Sequence, residues 1–229
     1  MRSILSKKPG KKLNPYVSDY VVFDLETTGV SCSSDAVVEI SAIKVIGGEV
    51  VDEFTTLVNP DRPIPYNASA VNGITNNMVK DSPFFEEALS DFLEFAGDAV
   101  LVGHNIHTFD MKFLYRDAER FWGMTIGNDY VDTLQIARMY LPQLSHYKLV
   151  DLAEYYKIST IGAHRALNDC RMNQIVFEHL AKEIADPSED AKAVEKCPKC
   201  GNVLRKRKGR YGEFWGCMSY PGCTYTRNV

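Results

Sequence analysis

The chain has 229 residues, 45% hydrophobic and 24% charged, which fits a soluble globular protein with one ordinary domain and a small module. No run of about 18 apolar residues occurs, which excludes a transmembrane helix, and the N-terminal stretch MRSILSKKPGKKLNPY lacks the apolar core of a secretory signal. The net charge of −4 conceals a split: from Lys192 onward nine Lys and Arg accompany two acids, net +7, so the preceding residues carry −11. A basic tail on an acidic body suits a polyanion partner; the alternative is a solvated basic face.

In chain order, residues 1–18 read as a flexible basic arm. YVVFDLE and AVVEISAIKVIGGEVVDEFTTLVNP read as three strands, with Gly47-Gly48 as the hairpin turn between the second and third. Helical spacing follows, with a helix opening at Asp81-Ser82-Pro83 and an apolar stripe of Phe85, Leu89, Phe92 and Leu93. AVLVGHN is a short buried strand and FDMKFLYRDAERF an amphipathic helix. YVDTLQIARMY runs from a strand end into a helix, KLVDLAEYYKI is another helix, and HRALNDCRMNQIVFEHLAKEI is a long closing helix. Strands joined by a hairpin and followed by alternating helices and strands give an α/β domain with a mixed sheet over residues 19–184. Residues 185–195, ADPSEDAKAVE, form a polar linker to a cysteine-rich module at 196–229.

Within the first strand, VVFDLETTG sets Asp24 and Glu26 where a core strand would carry valine or leucine. Residues two apart on a strand share a face, so both carboxylates project together. Unpaired, one would be driven neutral by a raised pKa, so the pair calls for a strong positive charge between them. Two later segments add acids at special positions. Asp110 follows the strand in LVGHNIHTFD and opens a helix, while His164 and Asp169 sit five apart near the start of the last helix. That spacing is nearly one and a half turns, so the two converge only if His164 lies on the loop side of the helix start.

The segments FDLETTG, GHNIHTFD and HRALND, in this order, resemble the three motifs of the DEDDh 3′→5′ exonucleases, closest to the epsilon subunit of DNA polymerase III and its relatives. The resemblance covers roughly residues 19 to 184. It implies a ribonuclease H-like mixed sheet flanked by helices, with Asp24, Glu26, Asp110 and Asp169 as metal ligands and His164 as general base. The subgroup with a tyrosine base would carry Tyr where Arg165 stands, so the histidine assignment holds. It further implies that Thr27, Thr28 and Gly29 contact the 3′-terminal nucleotide, although the same residues also suit an ordinary strand-ending turn. Asn105 is a further candidate, its amide able to orient substrate or a ligand. His104 and His107 read as structural, and Asp132 as a helix cap rather than a ligand.

The chemistry supports the same set. Phosphodiester hydrolysis needs an attacking hydroxide, neutralised phosphoryl oxygens and a stabilised leaving alkoxide, which two divalent ions about 3.5–4 Å apart supply. Mg²⁺ or Mn²⁺ would take carboxylate ligands. Asp24 would bridge both ions, Glu26 and Asp169 would serve the water-activating one, and Asp110 would hold the second through water. A histidine with an ordinary pKa of about 6.5 suits removal of the water's proton.

The C-terminal module has the form C-x2-C-x16-C-x5-C, from Cys197, Cys200, Cys217 and Cys223. Four thiolates complete a closed tetrahedral Zn²⁺ site, which is structural and supplies the folding energy so small a module lacks. Cys32 and Cys170 have no evident mate, a pattern suited to a reducing, cytoplasmic setting. The module resembles the zinc ribbons at the C-termini of type IA topoisomerases, which implies single-stranded DNA binding. Lys206, Arg207, Lys208 and Arg210 offer phosphate contacts, and Tyr211, Phe214, Trp215 and Tyr220 offer stacking faces or the ribbon's own small core. The expected function is therefore a metal-dependent 3′→5′ exonuclease releasing nucleoside 5′-monophosphates, with single-stranded DNA 3′ ends favoured. Replication or repair proteins are possible partners and no membrane is involved. An RNA 3′-end exoribonuclease and a non-catalytic nucleic-acid-binding or polymerase-associated module are the alternatives.

Overall fold

Tyr20–Thr27 forms the central strand (β3) of a six-stranded sheet because its odd and even residues both find apolar cover. The computed structural model describes residues 4–210, 212–220 and 222–229. Ahead of β3 lie the short strands β1 (Leu5–Ser6) and β2 (Lys12–Leu13); after it come β4 (Val37–Ile46) and β5 (Glu49–Leu57), joined through Gly47 and Gly48. Both glycines have positive φ, 61° and 84°, as a tight hairpin turn requires. Helices α1 (Tyr66–Asn72), α2 (Asn76–Val79) and α3 (Phe85–Ala96) precede β6 (Val100–Gly103). Then follow α4 (Asp110–Trp122), β7 (Thr125–Ile126), β8 (Tyr130–Asp132), α5 (Thr133–Tyr140), α6 (Leu149–Tyr155) and α7 (Ala166–Ala185).

The sheet runs β2-β8-β6-β3-β4-β5. β3, β4 and β5 pair antiparallel, whereas β6, β8 and β2 pair in parallel, so the sheet is mixed as expected. One face carries Val21, Phe23 and Leu25 against Leu89, Phe92 and Leu93 of α3 and against Phe113 and Leu114 of α4. The other carries Tyr20, Val22, Ile43 and Val45 against Cys170, Val176, Phe177 and Leu180 of α7. Asp24 and Glu26, in phase with Tyr20 and Val22, therefore face the first turns of α7. This is the sense in which the fold builds the site.

Three boundaries differ from the sequence expectation. The closing helix begins at Ala166, not at His164, because His164 has φ +68° and cannot continue a right-handed helix. The 185–195 linker contains a helical turn, α8 (Glu189–Lys192), capped by Ser188 and holding Ala191 buried. The expected flexible arm is in large part docked: β1 pairs with β7, β2 extends the sheet beside β8, and Ile4 is buried. Its apolar residues decide this. Tyr16 packs on Phe177 and donates to Glu178, whose other oxygen takes the Tyr20 hydroxyl. The ribbon sheet follows, with β9 (Leu204–Gly209), β10 (Gly212–Cys217) and β11 (Thr226–Asn228) paired antiparallel in the order β11-β10-β9. Among the described residues no helix is long and apolar enough to cross a membrane.

Deleting residues 1–15 should consequently lower unfolding stability by at least about 2 kcal/mol, the burial of the Ile4 side chain alone, as read from denaturant titration. An unchanged midpoint would restore the flexible-arm expectation.

Candidate active site

Asp24 and Glu26 leave β3 toward α7, and Asp169 meets them from the first turn of that helix; one ligand oxygen from each lies within 4.8 Å of the others. Asp110 enters from the opposite side as the first residue of α4 and is buried. Backbone amides of Leu25 and of Asp110 itself bond its carboxylate, yet Oδ1 is buried with no partner. The Asp110 charge is the strongest neighbouring influence on Asp24, which places all four acids in one electrostatic cluster.

Crowding the acids has the cost expected of it. Burial, then the charges of Asp110, Glu26, Asp169 and Glu39, push the Asp24 carboxyl well above the carboxylate range. Glu26 is pushed up to about 8, by burial first and then by Asp169 and Glu39, against a hydrogen bond from Asn72. Asp110 is pushed up to about 7, chiefly by burial. Burial also raises Asp169, opposed by the backbone N–H of His164, which donates to Oδ2 at 3.0 Å. An all-oxygen donor set, too crowded to ionise alone and with one buried oxygen unpartnered, fits hard divalent cations.

His164 lies in the loop before α7, exposed, with its backbone tied to Asp169. Gly29 is required for space: a Cβ there would sit 2.5 Å from the Asp35 carboxylate. That carboxylate organises the whole turn, accepting from the Ser31 amide and from the Thr28 hydroxyl, while Thr28 Oγ1 accepts from Ala36 N. Thr27 Oγ1 donates to Gly29 O at 2.7 Å. The hydroxyls of Thr27 and Thr28 thus shape the turn. Asn105, at φ +66°, accepts a short bond from Thr108 and lines a cleft between the body and the ribbon. His104 is structural as expected: Nε2 donates to Tyr147 O, Nδ1 faces Thr133 Oγ1, and burial lowers its pKa to about 4. Asp132 caps α5 at Leu134 N and also accepts from the amides of Asn105 and His107.

Besides Asp35, sequence reasoning missed two supports. Asn72, the last residue of α1, is buried and donates to Thr27 O at 3.5 Å and to the Glu26 carboxylate. Glu39 stands opposite Glu26 across β3 and β4 and is 3% exposed. Its carboxylate takes Arg165 Nη2 at 2.6 Å, Arg165 Nε at 3.2 Å and Ala166 N at 3.1 Å. The signal for Glu39 was the one that flagged Asp24, an acid inside an apolar strand, VVEIS.

In the ribbon, the thiols of Cys197, Cys200, Cys217 and Cys223 gather within 4.8 Å of one another, with pairs at 3.4 and 3.8 Å. A tetrahedron with Zn–S of about 2.3 Å needs sulfurs about 3.8 Å apart, so the four fit Zn²⁺. The ribbon is seated on the body. Arg138 Nη1 donates to Met218 O and Arg205 bonds the Tyr147 hydroxyl over its ring, while Arg227 pairs with Glu195 of the linker. Trp215 lies between Lys206 and Arg227, 5.4 and 5.7 Å from its ring, beside Ala193 and Val194. Phe214 and Tyr220 instead line an open groove of about 220 Å³ with Arg207 and Tyr225. Tyr211 lies outside the described residues.

Two outcomes follow. Glu26 shifts from an ordinary 4.5 unfolded to about 8 folded, so the folded chain holds more protons across that window and its stability falls as pH rises through it. The melting temperature of cation-free, zinc-loaded protein should fall from about pH 5 to pH 8, and Mg²⁺ should flatten that slope; an unaltered slope would mean that the acids bind no cation. Cys200→Ser should reduce zinc from near one per chain to near zero by elemental analysis. It should also abolish amide protection in β9 and β10 while β3 and β4 keep theirs.

The exonuclease family matches residues 21–177, and the topoisomerase DNA-binding C4 zinc finger matches residues 194–229. A PolC-type DNA polymerase III of Caldanaerobacter subterraneus subsp. tengcongensis is 40% identical over 168 residues, 73% of this chain; the chain spans 12% of that polymerase's length. The DNA polymerase III epsilon subunit of Aquifex aeolicus is 37% identical over 165 residues, covering 72% of this chain and 81% of the subunit. Exonuclease X, solved with 5′-overhanging duplex DNA, superposes with a TM-score of 0.60 at 28% identity over 73% of this chain and 98% of its own. Exonuclease I of E. coli, solved with a dT13 oligonucleotide, shares the fold at a TM-score of 0.65 and 15% identity, covering 90% and 53% of the two chains. The chain therefore belongs to the exonuclease family of the polymerase III epsilon and PolC type, with a topoisomerase-type C4 zinc ribbon at its C-terminal end.

Proposed function

We propose that the protein is a divalent-metal-dependent 3′→5′ exonuclease acting on single-stranded DNA ends and releasing nucleoside 5′-monophosphates. The observation that carries this is the convergence of Asp24, Glu26, Asp110 and Asp169 at one end of β3, with the His164 backbone bonded to the cluster. Asp24, Glu26 and Asp169 would hold one Mg²⁺ or Mn²⁺, and Asp110 with Asp24 a second. Bound there, the ions supply charge neutralisation at the phosphoryl oxygens and an acidified water. His164 takes the proton of the attacking water at an imidazole nitrogen as the new O–P bond forms. The P–O3′ bond breaks, and the departing 3′ oxygen is protonated from solvent. The turn at Thr27-Thr28-Gly29, held by Asp35, receives the terminal nucleotide.

The ribbon binds the single strand behind that end through Arg207 on β9 and the open rings of Phe214 and Tyr220. A role beside replication proteins is supported by the PolC-type and epsilon relatives.

The test is a time course on 3′-labelled and 5′-labelled DNA and RNA strands with Mg²⁺, Mn²⁺ or a chelator. Labelled mononucleotide should appear first from the 3′-labelled DNA, and only with metal; preference for RNA would reassign the substrate. Asp24→Ala should remove turnover, and retention of full metal-dependent activity would sink the proposal. His164→Ala should lower kcat roughly 10²–10⁴-fold with KM unchanged. Cys200→Ser should weaken binding of long single strands and flatten its salt dependence, with little effect on very short oligonucleotides.

A further inference from the structure

We infer that the Glu39–Arg165 pair is a clamp that positions His164, a role that rests on the exonuclease proposal above. The loop before α7 bonds within itself, Ala163 N to Thr160 O and Ile161 N to Ser159 Oγ, which does not tie it to the sheet. Ile161 is 92% exposed and His164 is exposed, so what references His164 to the sheet comes from the chain after it. Three consecutive residues supply this. The His164 N–H donates to Asp169 Oδ2, the Arg165 guanidinium grips Glu39 through two parallel bonds, and the Ala166 N–H donates to the same Glu39 carboxylate. His164 itself is held at φ +68°, a left-handed conformation that a non-glycine residue keeps only when its surroundings impose it. Here those surroundings are the clamp on one side and, on the other, Asn168 Nδ2, which donates to Gly162 O at 2.9 Å.

Glu39 is suited to the task because it is anchored on a central strand and 3% exposed, so the clamp references His164 to the same sheet that carries Asp24 and Glu26. A bidentate guanidinium–carboxylate pair fixes orientation as well as distance, which a lysine at the same place would not do. Arg165 thereby acts through His164, as a positioning residue rather than a catalytic one.

The experiment compares single-turnover rates and KM on a short single-stranded oligonucleotide for Arg165→Met, Arg165→Lys and Glu39→Gln, each in the presence and absence of His164→Ala. Melting temperatures and bound Mn²⁺ check the fold and the acid cluster. With His164 present, each variant should lose roughly 10- to 100-fold in kcat at unchanged KM and Mn²⁺ affinity, the scale of a misplaced catalytic group. In the His164→Ala background the same substitutions should cost less than about twofold, since what they misplace is already gone. Equal losses with and without His164, a rise in KM, or no loss at all would overturn the clamp. If Arg165→Met does not fold, Arg165→Lys decides, because it keeps the charge and loses only the fork. Asp24→Ala with full activity would refute the exonuclease proposal itself, and His164→Ala at full rate would refute the base, so each failure is distinguishable.

Discussion

Crowding of like charges under the first turns of α7 is the constraint on which the rest of the molecule depends. The face of β3 and β4 that meets α7 changes character along its length. Tyr20, Val22, Ile43 and Val45 lie under Val176, Phe177 and Leu180, whereas Asp24, Glu26, Ser41 and Glu39 lie nearer the segment from Arg165 to Cys170. The apolar half anchors the helix, and the anchored helix holds Asp169 against Asp24 and Glu26 despite their repulsion. The amide ends of the first turn of a long helix also favour negative charge beside them.

Five carboxylates meet in this region and the structure treats them in two ways. Glu39 receives a guanidinium and a backbone amide and is complete without any further ligand. Among the described residues no ion pair reaches Asp24, Glu26, Asp110 or Asp169. The same contrast appears at Asp117, equally buried but paired with Arg116, which also holds the 32–35 loop through Cys32 O and Asp35 O. The fold neutralises Glu39 and Asp117 with arginines and leaves the other four with raised pKa values, an imbalance that the cations of the proposed mechanism would offset.

Much of this was legible in the sequence, for identifiable reasons. Strand patterning gave β3 to β5 and the Gly47-Gly48 turn, because alternation and turn chemistry are local. Asp24 and Glu26 stood out because charge within an apolar run is visible without a partner. Glu39 carried the same mark in VVEIS, but its meaning depended on Arg165, which lies 126 residues away along the chain. Asn72 and Asp35 were hidden for the same reason: a carboxamide in VNGIT and an acid in a serine-rich loop declare nothing until the fold brings Glu26 and Gly29 beside them. The N-terminal residues were misjudged because lysine content suggested an arm, while Ile4, Leu13 and Tyr16 had a sheet edge and Phe177 to pack against.

The ribbon shows how strand alternation divides a basic, aromatic sequence into two surfaces. Opposite neighbours across β9, β10 and β11 share a face, so Lys206, Trp215 and Arg227 form one set and Arg207, Phe214 and Asn228 the other. The first set closes on itself, with Trp215 packed on the core of Leu204 and the cysteines beneath two cations and beside the 193–194 segment. The second leaves Phe214 and Arg207 open beside Tyr220. Tyr220 also lines the cleft shared with Asn105 and Thr108, in the loop that leads directly to Asp110. A single strand stacked on the open face would thus lie next to the motif that closes the acid cluster. Arg138 and Arg205 seat the ribbon beside that loop, through Met218 O and the Tyr147 hydroxyl.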